Sequence, residues 1–484
     1  MHVVFVQDNG INESLALTDV SACVKAAGHT TALLLEREER DLRQAIAREN
    51  PDLILITSAI LAHRWTLRMV ERVRRWFPET PRVLAGSHPT LYPDILGFDG
   101  VEMIIVGEAE RSLVALVDAL AGKTPFEQVP GLHFKRGKSI HRNPLGPLVS
   151  DLDALPLPDR DLYFDRYPFT GRFPWKKFTS GRGCVHNCSF CYQPTYRAMT
   201  RGHGPYLRRK SPERVVREVN AVAARHRVTN VHFSDDLFVT NAAWVRDFAE
   251  IYPRRVGIPF SLNTSAELVT EEAVRLLAGA GCRAIAMGVE TSDEKLRRSI
   301  LAKEVSTDAI RKAARLIRDH GIKLVTFNMV GAPGETPADV LETIRFNAEL
   351  GTDLPRVSIC FPLPGTPIAK EPLAGREGTR PDVYELPDLE DARFDEVFFA
   401  SAKPHEAELI NLFHLFTLGV SHPRLIPLIR RLARLPKGRL YALSSVHRML
   451  EERSVYGLSL REGLDYFWHV GTPDRRTTNF VSLV

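Results

Sequence analysis

The chain has 484 residues, and its 64 basic and 59 acidic side chains leave a net charge of +5, too weak a bias to mark a nucleic-acid-binding surface. It is too long for a single ordinary core, and at roughly 150 residues per domain it divides into two to four. Its 44% hydrophobic and 25% charged content is that of a globular chain. Six cysteines, three clustered and the others scattered at Cys23, Cys282 and Cys360, fit a reducing compartment better than a disulfide scaffold. The N-terminus carries no basic leader or cleavage site, and the longest apolar stretch, Leu409 to Val420, is interrupted by Asn411 and His414 and falls short of the roughly 18 residues that span a bilayer. The expectation is a cytoplasmic protein without a transmembrane segment.

From residue 2 to about 120, strand runs at His2–Val6, Thr31–Leu35, Leu53–Thr57, Arg82–Ala85 and Glu102–Val106 alternate with helical patterns such as Glu13–Ala27 and Trp65–Trp76. This predicts a five-stranded, doubly wound α/β domain, in which a ligand lies outside the carboxyl ends of the strands. The residues there are small: Gly10 after the first strand, Ser58 after the third, Gly86 and Ser87 after the fourth, and Gly107 followed by Glu108 after the fifth. Such residues let a bulky ligand approach the backbone, and they are also ordinary turn formers. No Gly-x-Gly-x-x-Gly follows the first strand, which disfavours a dinucleotide.

Residues 126–175 are rich in proline, with Pro130, Pro144, Pro147, Pro156, Pro158 and Pro168 opposing any long regular element, and read as a linker. The stretch Lys177–Tyr192 follows, with thiols at Cys184, Cys188 and Cys191 on a glycine-punctuated loop. Three thiolates close around one face of an iron–sulfur cube and leave one iron open to a substrate. A zinc site would want a fourth ligand, which His186 does not supply at any common spacing, and three thiols are odd for disulfides.

Counting 177–180, six strands alternate with helices as far as residue 361, which predicts a partial barrel with its chemistry at the carboxyl ends of the strands. Those ends carry Ser234-Asp235-Asp236, Gly288-Val289-Glu290-Thr291, Gly331 to Thr336, and Pro362 to Pro367. Asp235 and Asp236 also suit a helix cap, and Glu290 a surface turn. Cys282 and Cys360 read chiefly as buried small residues, with Cys360 near enough to the strand ends to touch a substrate. Arg197, Arg201, Arg208, Arg209 and Lys210, interleaved with Tyr196 and Tyr206, suit either a solvated loop or an anion-binding run.

The cysteine loop with Phe190 in its aromatic slot, Phe-Ser-Asp-Asp-Leu-Phe at 233–238, Gly-Val-Glu-Thr at 288–291, Lys303 and the two Pro-Gly turns resemble the radical S-adenosylmethionine superfamily. With Ala-Gly-Ser-His-Pro-Thr at 85–90 and Val-Gly-Glu-Ala-Glu at 106–110 ahead of them, the likeness is to its cobalamin-associated branch, class B methyltransferase-like. The resemblance implies an α/β chain in four parts. A Rossmann-like, five-stranded cobalamin-binding domain covers 1–125, a linker 126–175, a partial (β/α)6 radical SAM barrel 176–370, and a small mainly helical domain 371–484.

It further implies three cofactors: a [4Fe–4S] cluster on Cys184, Cys188 and Cys191, S-adenosylmethionine on the fourth iron, and cobalamin at Gly10, Ser58, Gly86, Ser87, Gly107 and Glu108. Phe190, Gly331, Leu363 and Pro364 would border the adenine, the Asp235-Asp236 backbone would meet the methionine amine, and Glu290 the ribose. The first strand lacks the Asp-x-His-x-x-Gly that ligates cobalt, so a cobalt without a lower histidine ligand is implied. The implied activity is methylation of an unactivated carbon by way of methylcobalamin. A cyclase, oxidase or rearrangement enzyme shares every motif, and a non-catalytic iron–sulfur or cobalamin carrier is the alternative outside catalysis. Expected partners are a small-molecule, lipid or peptide substrate and an electron donor such as flavodoxin or ferredoxin, with no nucleic acid. In the tail, helices are predicted at Pro404–Val420, Pro423–Leu435 and Gly438–Glu451, the second basic and amphipathic enough to lie on a membrane or across the barrel mouth.

Overall fold

The aliphatic runs of the N-terminal third are short, uninterrupted and bounded by turn residues, as strands covered on both faces must be. In a computed structural model of the chain, which describes residues 1–8, 13–60, 62–373, 384, 396–437, 440 and 455, they form parallel strands. The order across the sheet is Thr30–Leu35, His2–Gln7, Leu53–Thr57, Arg82–Ala85 and Met103–Ile105. Val4, Val6, Ile54 and Ile56 face the helices Leu42–Glu49 and His63–Trp76, whose Leu42, Ile46, Met69 and Val73 complete that half of the core.

The sheet does not stop at the five expected strands. Leu132–Arg136 and Ser139–Arg142 add an antiparallel hairpin to its edge, within the stretch read as linker. The prolines bracket the hairpin at Pro130 and Pro144 rather than entering it, so its ladder loses no donor. Gly131 makes the junction possible: its φ is 67°, and a Cβ there would lie 2.3 Å from the Val106 carbonyl oxygen. Farther along the same stretch, Tyr163 donates to Gln7 Oε1 at 2.6 Å and Tyr167 to Glu39 Oε1 at 2.6 Å. Residues through Arg172, with Ala198–Arg208 and Tyr384, therefore form one unit with the first domain.

The second unit comprises the described residues of Phe173–Arg197 and those from Arg209 onward apart from Tyr384. Its six parallel strands follow chain order: Trp175–Phe178, Asn230–Phe233, Phe260–Thr264, Cys282–Glu290, Lys323–Val330 and Leu354–Ile359. The helices between them begin at side-chain caps from Ser211, Asn241, Thr270, Ser306 and Thr336, each accepting a hydrogen bond from the first turn. Phe233 and Phe260 pack on Phe248 and Tyr252 of Ala242–Arg255, which fixes the outer face of the curled sheet.

In its described part, as far as residue 437, the tail is not a separate body. Helix Glu406–Ser421 places Leu409, Leu412, Leu415 and Phe416 in the same core as Val340, Ile344 and Ile359 of the barrel. Gly419 permits the approach, since a Cβ there would stand 2.7 Å from Ile344 Cγ2. The predicted second helix is a 3-10 turn at Pro423–Leu425 followed by Ile426–Leu432, with Pro427 in its first turn, where its missing donor costs nothing. Its Ile426 and Ile429 are buried in the barrel's core, whereas Leu425 and Leu428 remain exposed. The predicted helix 438–451 lies outside the described residues, as does Gly10.

Candidate active site

The first barrel strand ends at Phe178, and the loop that follows carries the three thiols. Ser189 fixes its middle from both sides: its N–H donates to the Leu301 carbonyl at 2.9 Å, its hydroxyl to the Ile300 carbonyl at 2.6 Å, and its own carbonyl accepts from Ile368 N–H at 3.1 Å. Arg197 donates to the Cys184 carbonyl at 2.8 Å and also grips Asn187. His186 lies 2.9 Å from Glu267 Oε1, so the one histidine in the loop faces a carboxylate. Burial pushes the Cys188 thiol up to about 11 and the Cys191 thiol up to about 12. Cys188 also feels the charge of Cys184, and Cys191 those of both, which places the three near one another. Among the described residues no three such side chains converge around a single metal ion. A cube that offers a separate iron to each thiolate suits this donor set.

Asp235 and Asp236 have different partners. Asp235 accepts from Ser180 N–H at 3.0 Å and from its hydroxyl at 2.7 Å, tying two adjacent strand ends, while Asn241 caps the following helix. Burial raises the Asp235 carboxyl. Asp236 accepts from Gln193 Nε2 at 2.5 Å, and burial together with the Asp235 charge pushes it up to about 6. It sits within electrostatic reach of Cys184 and Cys191. Gln193 was not singled out from sequence, although it stands two residues after the last thiol.

Glu290 ends the fourth strand with φ at 65°, beyond a register shift at Gly288. It is a buried ion-pair partner rather than a surface turn residue: Lys303 Nζ donates to Glu290 Oε1 at 2.7 Å, and the ammonium lies within reach of the Cys188 thiol. After the fifth strand, Gly331 N–H donates at 2.6 Å and Ala332 N–H at 3.2 Å to Glu335 Oε2. Glu335 is the buried carboxylate hidden in the Pro-Gly-Glu-Thr turn, and burial pushes it up to about 8. Leu363 and Pro364 are half-buried after the sixth strand, where Thr366 N–H donates to the Leu363 carbonyl at 3.1 Å. Phe190 is half-buried against the barrel core. Cys282 and Cys360 are both buried, as their size predicts.

In the first unit, the Ser58 hydroxyl is 2.9 Å from Thr66 Oγ1, and Ser87 Oγ accepts from Ile60 N–H at 2.8 Å. Gly86 has φ 126°, and a Cβ there would lie 2.5 Å from the Ser58 carbonyl oxygen. Gly107 N–H donates to Thr90 Oγ1 at 3.1 Å. Glu108 is committed internally, accepting from Arg208 at 2.8 Å and from Val149 N–H at 2.8 Å. The Glu108 carboxylate thus anchors its own surroundings.

Three members of the basic run are engaged internally as well, while Arg201 is exposed. Arg208 belongs to Glu108, Arg209 stacks 4.4 Å from the Trp244 ring and donates to the Leu237 and Phe238 carbonyls, and Lys210 pairs with Glu218 at 2.7 Å. The partner of Arg208 lies 100 residues away in sequence, out of reach of a local reading.

His88 follows the fourth strand, fully buried against His63, Tyr92 and Tyr384 at ring distances of 5.6, 5.0 and 5.8 Å. Burial, then the charge of His63, holds its imidazole down at about 3, so it is neutral. Neither ring nitrogen has a hydrogen-bond partner among the described residues. Small residues, a glycine that admits no Cβ and an orphaned imidazole at the carboxyl ends of the strands fit a large bound cofactor.

The profile of the B12 binding domain matches residues 1–117, and that of the Radical SAM superfamily matches residues 178–346. An uncharacterised methyltransferase of Pyrococcus horikoshii is 26% identical over 335 residues, 67% of this chain and 70% of that protein. An anaerobic magnesium-protoporphyrin IX monomethyl ester cyclase of Rubrivivax gelatinosus is 26% identical over 369 residues, 72% of this chain and 64% of the cyclase, just under two thirds of its length. In fold, the chain is similar to the radical S-adenosylmethionine methyltransferase TsrM of Kitasatospora setae, with a TM-score of 0.69 at 17% identity over 94% of this chain and 99% of that one. Among the described residues no helix is long and apolar enough to cross a membrane. A [4Fe–4S] cluster, S-adenosylmethionine and cobalamin are the cofactors, and the chain belongs to the radical SAM superfamily as an enzyme with a B12 binding domain ahead of its radical SAM domain.

Proposed function

We propose that this enzyme methylates an unactivated carbon of a small-molecule, lipid or peptide substrate. The observation that carries the reading is a three-thiol loop at the carboxyl end of a barrel strand in the same chain as a B12 binding domain. When bound, the cluster supplies the electron that splits S-adenosylmethionine into methionine and a 5′-deoxyadenosyl radical, and cobalamin supplies the methyl group. Cys184, Cys188 and Cys191 hold the cluster. Asp236 and Gln193 beside the thiols, and the Glu290–Lys303 pair, orient the charged ends of S-adenosylmethionine. Phe190, Gly331, Leu363 and Pro364 border its adenine. Ser58, Gly86, Ser87 and Gly107 leave room for cobalamin. The reaction runs in the cytoplasm, with electrons from a flavodoxin or ferredoxin.

The Rubrivivax relative favours a second reading, in which the same cofactors close a ring. The two part on their products. With S-adenosylmethionine deuterated at its methyl group and an extract as substrate source, methyl transfer puts the label into an extract component and forms S-adenosylhomocysteine alongside 5′-deoxyadenosine. Ring closure forms 5′-deoxyadenosine with no label transferred. Neither product from reduced, reconstituted protein would leave only a carrier.

A further inference from the structure

From Pro423 to Pro436 the chain is built of Pro, Leu, Ile, Ala and Arg alone. The stretch sits inside a longer bias: between Glu408 and Glu451 there is no Asp or Glu, while seven Lys and Arg fall there. A segment that faces water alone mixes both signs of charge with neutral polar groups. The side chains here offer hydrocarbon and guanidinium and nothing else.

The helix Ile426–Leu432 and the turns at its ends sort these residues into stripes. Ile426, Ile429 and Ala433, spaced by three and then four, are buried against the barrel. One residue earlier, on one flank, come Leu425, Leu428 and Leu432, of which Leu428 is 49% exposed and Leu425 38%. One residue later, on the other flank, come Pro427, Arg430 and Arg434, all exposed. Arg424, Arg431 and Leu435, also exposed, fall between the two flanks on the side away from the buried stripe.

The four arginines are not neutralised from within. Lys403 and Lys437 share Glu406, at 2.7 and 3.3 Å, and among the described residues no carboxylate pairs with Arg424, Arg430, Arg431 or Arg434. Exposed leucines beside uncompensated guanidiniums complement an anionic bilayer surface, where phosphates lie directly above hydrocarbon. Arginine suits that boundary because its stem lies along apolar groups while its head reaches a phosphate. An acidic protein would meet the charge but would need polar contacts to fix its orientation, and the face carries no neutral hydrogen-bonding side chain.

We infer that this face docks the enzyme on the surface of an anionic lipid bilayer, its exposed leucines entering the acyl boundary and its four arginines meeting lipid phosphates. The docking is peripheral, since Ile426 and Ile429 stay in the barrel's core and no helix among the described residues is long and apolar enough to cross a membrane. It is independent of the reaction proposed above, because none of the residues placed near the cofactors belongs to this face.

The test follows flotation of full-length protein, reconstituted with cluster and cobalamin, with vesicles of phosphatidylcholine alone and of phosphatidylcholine mixed with phosphatidylglycerol. Partitioning at least about ten-fold stronger onto the anionic vesicles is expected, weakening as salt rises. The triple variant Arg430→Gln, Arg431→Gln, Arg434→Gln should lower that partitioning at least about ten-fold, and so should the double variant Leu425→Gln, Leu428→Gln, with iron content, cobalt content and thermal melting unchanged. If either combination loses iron or melts early, Arg431→Gln or Leu428→Gln alone replaces it, with a loss of about three-fold as the criterion. Arg254→Gln, at an exposed position on another helix, should leave partitioning as it is. Equal partitioning onto neutral vesicles, none onto either kind, no loss in the arginine or the leucine variant, or an equal loss in Arg254→Gln overturns the inference. Binding to poly-glutamate in place of the vesicles overturns it in favour of an acidic protein partner.

Discussion

Lys303 Nζ meets Glu290 Oε1 at 2.7 Å with both side chains about nine-tenths buried. Burial, the largest single influence, lowers the Lys303 ammonium, but the Glu290 carboxylate together with Cys188 and Glu267 outweighs it and the net shift is upward. Gly288 makes room for the pair, since a Cβ there would stand 2.0 Å from Nζ and 2.2 Å from Oε1. Removing one partner strands the other charge in a dry site. Lys303→Met should cost about 3–5 kcal/mol in urea unfolding, and adding Glu290→Gln should restore much of it. A double variant no more stable than Lys303→Met would show that the ammonium acts through other contacts.

The second expectation concerns the Gly86–Ser58 approach. Gly86→Ala adds a side chain at φ 126° and drives it to within 2.5 Å of a carbonyl oxygen, which belongs to backbone and cannot swing aside. A loss of about 1–3 kcal/mol follows from the strained backbone, with a larger proportional loss of cobalamin affinity because the fourth strand end moves. Hydroxocobalamin binding followed by visible absorbance decides it; unchanged affinity would separate that strand end from the cofactor.

Arg208 offers a third. Its guanidinium is almost fully buried against Glu108, which in turn holds the Val149 N–H. Arg208→Met removes the guanidinium from that carboxylate and should cost about 3 kcal/mol. Arg201→Met, at an exposed site, should change stability by under about 0.5 kcal/mol. Equal effects in thermal melts would restore the solvated-loop reading for Arg208.

The fourth is a pH profile. Glu335 is fully buried and raised to about 8, so the native state holds its proton after the unfolded chain has released it near 4.5. Its contribution is fully present below pH 4.5 and is lost as the pH rises toward 8, by at most about 1.4 kcal/mol per pH unit. Glu335→Gln should flatten that part of the stability profile between pH 5 and 8. An unchanged slope would place the titration elsewhere.

What the sequence made legible was local. The thiol loop, the alternation of strands with helices and the small residues at strand ends depend on spacing and composition, and they stand where the spacing put them. The hairpin at 132–142 escaped notice because Leu132-His133-Phe134-Lys135-Arg136 is one short alternating run amid prolines whose bracketing role becomes clear only when the neighbouring strand is present. Pairings across long separations were invisible for the same reason. Glu108 looked like a ligand and Arg208 like a solvated cation because nothing local says that each is the other's partner, and Ser180 gave no hint of Asp235.

The anchoring of Ser189 also bears on how the enzyme is made. The loop takes its shape from the Ile300 and Leu301 carbonyls and from Ile368 N–H, all encoded more than a hundred residues after the thiols. A nascent chain that has exposed Cys184, Cys188 and Cys191 alone cannot yet hold them in this arrangement. Delivery of iron and sulfide should thereby wait until the ribosome has released nearly the whole barrel, and premature truncation upstream of Ile368 should yield a polypeptide without bound iron or sulfide even where every thiol is present.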